Sequence, residues 1–107
     1  LIDQVYQTGR KRVAHPLLAY ALRREDHAPA RLGISVAKRC GNAVIRNRVR
    51  RRVREIVRGQ FALLPRGFDL VVVAFPEAAR ATFAVLNEEL TWLLTRTRDW
   101  ASSRSSS

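Results

Sequence analysis

The feature that most constrains the fold is an apolar stripe that runs through the most basic part of the chain. Within residues 43–61, aliphatic side chains recur at spacings of three and four, at Ile45, Val49, Val53, Ile56 and Val57. This spacing places them on one face of an α-helix, and that face must pack against an apolar partner. Because β-branched residues are weak helix formers, we expect packing rather than intrinsic propensity to stabilise the helix. Asn42, directly before it, is a favourable N-cap residue.

The other positions of this helix make the charge distribution uneven. The 107 residues carry a net charge of +11, and residues 31–58 alone contain ten Lys and Arg against one acid, Glu55. A basic segment this concentrated is typical of a site for a polyanion, most often a nucleic acid. The hydrophobic content of 47% excludes a disordered polycation. We therefore expect a folded domain with one strongly basic surface.

Three further segments have clear secondary-structure patterns. The run 17–22 is continuously apolar, which indicates a strand covered on both faces. The run 68–75 is apolar except for Asp69, which indicates a strand central in its sheet. Residues 82–98 predict a helix capped by Thr82, with an apolar face formed by Phe83, Leu86, Leu90, Leu93 and Leu94.

The two ends of the chain differ from its middle. Residues 1–8 have the spacing of a helix end, which Gly9 would close, and Arg10–Arg12 predicts a short basic link. The Ser-rich residues 102–107 predict a disordered tail. We expect one domain over residues 1–101, with a first helix that is incomplete at its N-terminus because the sequence contains no Met.

Residues 31–38 predict a strand with two unequal faces. The large side chains of Leu32, Ile34 and Val36 alternate with the small residues Gly33, Ser35 and Ala37. Small residues on one side allow a close approach, either by a packed helix or by a bound ligand. The residues alone leave both alternatives open.

Catalysis by the protein alone is not indicated. The nine acidic residues are scattered rather than clustered as two-metal hydrolysis requires, and neither His15 nor His27 has a Cys or acidic partner at metal-ligand spacing. Cys40 is the single cysteine, which excludes an internal disulfide. Its position beside Arg39 and a helix start would suit a lowered thiol pKa, but we favour a small buried side chain.

No apolar run approaches the ~20 residues of a membrane span.

The run from Arg31 to Glu55, RLGISVAKRCGNAVIRNRVRRRVRE, resembles the bacterial ribonuclease P protein component. Its centre, Arg46-Asn47-Arg48, looks like the RNR motif of that family. Weaker matches lie on both sides, at Val5-Tyr6 before the run and in the segment from Phe68 after it. The resemblance covers roughly residues 2–98, in order and without large gaps.

This resemblance implies an α+β fold, a two-layer α/β sandwich with its elements in the order αβββαβα. The four-stranded mixed sheet would contain a left-handed β-α-β crossover through the Arg-rich helix. Periodicity alone would predict the common right-handed crossover instead.

The resemblance also implies a function. The chain would be the RNA-binding subunit of ribonuclease P, the endonuclease that removes the 5′ leader from precursor tRNA in the cytoplasm. The catalytic RNA and its Mg²⁺ ions would perform the hydrolysis, so the protein would contribute neither catalytic residues nor metal ligands. As a monomer without membrane contact, it would bind two partners, the catalytic RNA and precursor tRNA.

The matched positions imply two binding surfaces. The catalytic RNA would contact the region of the RNR motif through Lys38, Arg39, Asn42, Arg46, Asn47, Arg48, Arg51 and Arg54. The single-stranded leader would lie between the first helix and the sheet, against Tyr6, Tyr20, Ser35 and Phe75. The sequence departs from the family pattern at two positions, with Ile2 where Phe is usual and Phe75 where Arg is usual. From the residues alone, Tyr20 and Phe75 fit either base stacking or the core.

Two other functions also fit a basic helix of this kind. One is a non-enzymatic RNA-binding protein, such as a ribosomal protein of related fold. The other is a DNA-binding domain that places residues 43–61 in the major groove. The DNA-binding alternative predicts a double-stranded target, whereas the ribonuclease P assignment predicts that the chain alone cleaves nothing.

Overall fold

The secondary structure follows the hydrophobic pattern closely. A computed structural model describes residues 10–24, 26–60, 64 and 66–105. The strands are β1 (Arg10–Ala14), β2 (Leu17–Arg23), β3 (Arg31–Val36) and β4 (Phe68–Ala74), and the α-helices are α1 (Ala43–Arg58) and α2 (Phe83–Ser105). A first 3₁₀ helix, Lys38–Cys40, follows β3, and a second, Pro76–Ala79, follows β4. The predicted helix end at residues 1–8, and Tyr6 with it, lies outside the described residues.

The sheet is mixed, with its strands in the order β1-β2-β4-β3. β2 and β3 flank β4, the first antiparallel and the second parallel to it, and β1 extends the sheet antiparallel to β2. The prediction that residues 68–75 form a central strand is therefore confirmed. The parallel pair is joined through α1, as a β-α-β unit requires. The left-handed sense of that crossover stays a prediction.

The core lies between one face of the sheet and the two helices. Leu17, Ala19, Leu70 and Val72 of the sheet belong to one buried cluster with residues of both helices. From α1 come Val49, Val53, Ile56 and Val57, and from α2 come Leu86, Leu90, Leu93 and Leu94. Both apolar stripes therefore pack on the same face of the sheet, and the α+β class is confirmed. No helix in the described part of the chain has the length and apolar character needed to span a membrane.

Several predicted boundaries are wrong. The helix predicted at residues 43–61, α1, ends at Arg58 rather than at residue 61, because Gly59 follows and glycine is costly in a helix interior. Residues 10–12 are not a link but the start of β1, since pairing with β2 extends to Arg10↔Ala21. The strands predicted at 31–38 and 68–75 end at Val36 and Ala74, ahead of the two 3₁₀ helices.

The C-terminal helix differs from its prediction in two ways. Phe83 is 44% exposed, because as the first residue of the helix it lies beyond the edge of the packed stripe. The helix also continues past residue 98 to Ser105, so the predicted disordered tail is helical over residues 102–105. Neither Gly nor Pro occurs after residue 98, and serine lowers helix stability by only about 0.5 kcal/mol per residue.

Candidate nucleic-acid interface

The basic surface begins at a firmly capped helix end. The side chain of Asn42 accepts a hydrogen bond from the backbone N–H of Ile45 at 3.0 Å, and its carbonyl accepts from the N–H of Arg46 at 3.0 Å. The predicted N-cap is therefore confirmed. Gly41 precedes it with φ +143°, and a Cβ there would lie 2.8 Å from Cδ1 of Ile45. Only glycine lets the chain turn this tightly into α1.

Burial of the apolar stripe determines which arginines of α1 face outward. Val49 and Val53 are at most 1% exposed, so the helix cannot rotate about its axis without exposing them. The opposite side consequently presents exposed side chains at Asn47, Arg48, Arg51, Arg54 and Arg58. Four guanidinium groups along one helix face suit an RNA backbone, because each forms bidentate hydrogen bonds with phosphate.

Two arginines of α1 are instead occupied within the protein. Arg52 Nη1 donates to the backbone carbonyl of Ala81 at 3.3 Å, which ties α1 to the segment before α2. Arg50 Nη1 donates to Oδ1 of Asn47 at 3.0 Å. Asn47, which the resemblance assigns to the RNA interface, is therefore paired with the following turn of its own helix.

Arg46, the first residue of the RNR motif, differs from its neighbours. It is half-buried, and its Nε is buried without a hydrogen-bond acceptor among the described residues. A buried donor with no acceptor is costly, so an external acceptor such as a phosphate oxygen would be favourable there.

The first 3₁₀ helix presents two cations and buries one thiol. Lys38 and Arg39 are exposed, whereas Cys40 is 7% exposed and its Sγ lies 3.3 Å from the carbonyl oxygen of Phe75. Burial raises the pKa of the Cys40 thiol, which disfavours a reactive thiolate. Cys40 is therefore the small buried side chain that the sequence favoured. Its packing holds Lys38 and Arg39 beside the start of α1.

The opposite face of the sheet carries the predicted leader residues. Tyr20, Val71 and Gly33 lie side by side across β2, β4 and β3, and Ser35 lies in the next row. By strand alternation, these side chains point away from the helices. Tyr20 and Ser35 are both half-buried, and Gly33 contributes no side chain between them. Neither α1 nor α2 covers the small-residue face of β3, because both pack on the other side of the sheet.

Phe75 lies apart from Tyr20. It follows the end of β4, about 13 Å along the strand from Val71 at 3.3 Å per residue. There its N–H donates to the carbonyl of Pro16 at 2.9 Å. Its ring stacks on His15, with centroids 5.4 Å apart and an interplanar angle of 17°. The structure thus divides the described leader residues into a sheet-face pair, Tyr20 and Ser35, and a separate aromatic stack at the sheet end.

A buried carboxylate lies on the same sheet face as Tyr20, and the sequence did not indicate its role. Asp69 of β4 is 2% exposed and accepts hydrogen bonds from Arg31 Nε at 2.8 Å and Nη2 at 3.0 Å, and also from Arg24 Nη1. Burial by itself raises the pKa of Asp69, but the hydrogen bonds from Arg31 and Arg24 outweigh it and lower the pKa overall. Arg24 also donates to the carbonyls of Ala28 and Pro29, which fixes the loop between β2 and β3.

Metal-ligating side chains do not cluster within the described residues. No group of three or more His, Cys, Asp or Glu side chains comes together there in a way that could hold a metal ion. Asp69 pairs with arginines, and Glu77 pairs with His15. The described part of the chain therefore offers an interface made of arginines, aromatic rings and a partly open sheet face.

Comparison with known proteins agrees with this geometry. Residues 1–98 match the family model for ribonuclease P. The ribonuclease P protein component of Brevibacillus brevis is 36% identical over 94 residues, which span 88% of this chain and 75% of that protein. The corresponding protein of Gluconacetobacter diazotrophicus is 44% identical over 88 residues, spanning 81% of this chain and 76% of that protein.

Solved structures share the fold. The RNase P protein of Staphylococcus aureus superposes with a TM-score of 0.83 at 27% identity, covering 91% of this chain and 88% of that one. The RNase P protein of Thermotoga maritima superposes with a TM-score of 0.78 at 30% identity, covering 89% of each chain. With the capped arginine helix already described, these matches show that the chain belongs to the ribonuclease P protein family and is the protein subunit of that tRNA-processing ribonucleoprotein.

Proposed function

We propose that the chain binds the catalytic RNA of ribonuclease P through α1 and the turn before it, and binds the 5′ leader of precursor tRNA on the opposite face of the sheet. The observation that carries the first half is the set of exposed arginines on α1, held outward by the buried stripe beneath them. Lys38, Arg39, Arg46, Arg48, Arg51 and Arg54 contact phosphates in this proposal, and Asn42 and Asn47 position the helix end and its first turn.

The leader site rests on the shape of the sheet face. Tyr20 supplies an aromatic ring for one unpaired base, and Gly33 and Ser35 leave room beside it for a single strand. Tyr6, which lies outside the described residues, is assigned to the leader on the resemblance alone. Phe75 stacks with His15 rather than with Tyr20, so we assign it to a second contact at the sheet end.

The chemistry belongs to the RNA in this proposal. Mg²⁺ ions held mainly by the catalytic RNA would supply the hydrolytic chemistry. Within the described residues, no cluster of protein side chains could hold such an ion. The protein acts as a monomer in the cytoplasm and contributes binding and positioning. No observation favours the ribosomal or DNA-binding alternatives over this function.

Reconstitution tests the proposal. The chain is mixed with a bacterial ribonuclease P RNA, Mg²⁺ and a precursor tRNA, and the products are mapped at nucleotide resolution. We expect cleavage at the mature 5′ end with both components at low Mg²⁺, and no cleavage by the protein alone. A folded chain that neither binds the RNA nor increases cleavage would contradict the proposal.

A further inference from the structure

A cavity lies between the two 3₁₀ helices, at the end of the sheet and beside the start of α1. Its volume is about 270 Å³, and it is lined by Arg39, Cys40, Pro76, Glu77, Ala79 and Arg80. This volume is near the lower limit of about 300 Å³ that is typical of small-ligand sites. We call it the Arg80 cavity. It is large enough for one small ligand but too small for a folded segment.

Two arginines of the Arg80 cavity have no acceptor among the described residues. Arg39 and Arg80 are both exposed, and neither side chain hydrogen-bonds to another described residue. Arg24, Arg52 and Arg66 differ, because each donates to a backbone carbonyl. Two unpaired guanidinium groups on one cavity form a favourable site for a phosphate group.

A carboxylate in the same cavity favours a ligand that has hydrogen-bond donors as well as a phosphate. Glu77 lines the cavity, and its Oε2 lies 3.3 Å from Nε2 of His15. A carboxylate only accepts hydrogen bonds, so it would repel a simple anion and attract a ligand that also has donors. A nucleotide has both, with a phosphate at one end and base N–H groups at the other.

The base edge can be specified further. Guanine presents two adjacent donors, N1–H and the N2 amino group, which match the two oxygens of a carboxylate. Uracil presents a single N–H between two carbonyl oxygens, and these would repel Glu77. The carboxylate of Glu77 therefore discriminates between these bases by the balance of donors and acceptors.

The walls of the cavity are held in place before any ligand arrives. The Phe75 carbonyl accepts from the N–H of Ala78 at 2.9 Å and from Cys40 Sγ at 3.3 Å, which links the two 3₁₀ helices. The N–H of Arg80 donates to the carbonyl of Glu77 at 3.1 Å. Ala78 is fully buried beneath them. Because the backbone of the site is fixed in this way, only side chains lose conformational freedom on binding.

We propose that the Arg80 cavity binds one unpaired nucleotide of the RNA partner, with the phosphate against Arg39 and Arg80 and a guanine edge against Glu77. This rests on the proposed function, because the partner is taken to be RNA. It adds two residues, Glu77 and Arg80, that the resemblance does not assign to any interface. It also adds a preference for one base at a surface otherwise dominated by phosphate contacts.

The test titrates the full chain with guanosine 5′-monophosphate, uridine 5′-monophosphate and inorganic phosphate, followed by NMR of the backbone amides. We expect guanosine monophosphate to bind about tenfold more tightly than uridine monophosphate, as one bidentate base contact provides. Arg80→Ala should weaken both nucleotides, and Arg80→Lys should recover part of the loss. Glu77→Gln should remove the preference between them and retain binding.

Matched controls are available on α2. Arg96→Ala and Glu88→Gln make the same charge changes at exposed positions of that helix, and should leave both affinities unchanged. Equal affinity for all three ligands would reduce the cavity to an anion site and overturn the inference. Binding that is absent, or that Arg80→Ala does not alter, would overturn it as well.

The same preparations are assayed for tRNA processing with the catalytic RNA. Normal processing without nucleotide selectivity would refute the nucleotide site in the Arg80 cavity and would leave the proposed function unaffected. Selective binding of guanosine monophosphate without any processing would refute the proposed function alone. The two failures are thus distinguishable.

Discussion

Asp69 illustrates how strongly one residue can organise this molecule. It is the one charged side chain buried within the described residues, and its partners Arg24 and Arg31 are 45 and 38 positions away in the chain. Sequence patterns of period two or 3.6 describe neighbours only, so they could not have predicted this cluster. In the sequence, Asp69 is simply one acid within an apolar strand.

Replacement of Asp69 should therefore be costly. We expect Asp69→Ala to lower the free energy of unfolding by about 3–5 kcal/mol, because Arg24, whose side chain is only 9% exposed, would be left without its carboxylate. Asp26→Ala is the control, since Asp26 also pairs with Arg24 but is 57% exposed, and should cost at most about 1 kcal/mol. Urea unfolding of both variants measures the difference. Equal losses would show that the buried cluster adds nothing beyond a surface ion pair.

The same carboxylate predicts a pH dependence. Burial raises the pKa of Asp69, but the Arg31 and Arg24 hydrogen bonds lower it below the ordinary value of 3.8. Its contribution to stability is therefore complete above the unfolded-state pKa and is lost as the pH falls through the lower folded-state pKa. We expect the wild-type chain to lose stability below about pH 4 more steeply than Asp69→Asn does. Parallel slopes in acid unfolding titrations would contradict this.

At the scale of the element, α1 combines a predictable pattern with features that only the fold supplies. The cap at Asn42 follows from residue type and is confirmed. Of the predicted stripe, the four positions from Val49 to Val57 are buried in the core, whereas Ile45 is only half-buried. The division of the α1 arginines into exposed and internally bonded ones does not follow from spacing or residue type. Arg52 bonds to Ala81, 29 residues further along, and no local pattern indicates that contact.

Asn42 tests capping and RNA contact separately. Asn42→Ala removes the hydrogen bond to Ile45 and should lower stability by about 1 kcal/mol. Asn42→Asp retains the cap, and its charge suits a helix N-terminus, so stability should be preserved. The added negative charge should nevertheless weaken binding of the catalytic RNA. Thermal unfolding and a filter-binding assay distinguish the two effects, and unchanged binding by Asn42→Asp would remove this end of α1 from the interface.

Arg48 and Arg52 form a matched pair on the same helix. Arg48→Ala should lower affinity for the catalytic RNA and reduce the slope of log K against log salt by about 0.7–0.9, the value for one lost phosphate contact. Arg52→Ala should leave that slope unchanged and lower stability by about 1 kcal/mol, because its partner is the Ala81 carbonyl. Binding titrations at several salt concentrations provide the measurement. Identical slopes for the two variants would show that exposure on α1 does not determine RNA contact.

At the scale of the whole molecule, the sheet separates the two proposed binding surfaces. Both helices pack on one face, while Tyr20 and Ser35 lie on the other. The class of fold and the central position of β4 were predictable, because hydrophobic runs and alternation are local properties. The extent of β1 was not predictable, because it depends on pairing with β2. The last turns of α2 were not predictable either, because serine has only a weak preference for or against a helix.

Because the two surfaces are separate, we expect substitutions on one of them to leave the binding free energy of the other unchanged. Tyr20→Ala should weaken binding of precursor tRNA by about 1–3 kcal/mol and leave mature tRNA, which has no leader, unaffected. In the double variant with Arg48→Ala, the loss of precursor-tRNA affinity should match that of Tyr20→Ala, and the loss of catalytic-RNA affinity that of Arg48→Ala, each within about 0.5 kcal/mol, as expected for distant sites. Tyr20→Phe, which retains the ring, should keep most of the affinity. Strong coupling between the two positions would place them in one shared site.

Because β3 and β4 are parallel, α1 lies between them in the chain and is synthesised before the strand that completes its packing. A ribosome that adds about 5–20 residues per second makes α1 before it makes β4 and α2. At that moment the valines of α1 have no core to pack against, since their partners Leu70 and Leu86 are still to come. The nascent chain therefore has its positive charge long before it has a defined surface. Attraction of RNA by charge alone needs only the α1 segment, whereas recognition of RNA shape needs the nearly finished chain.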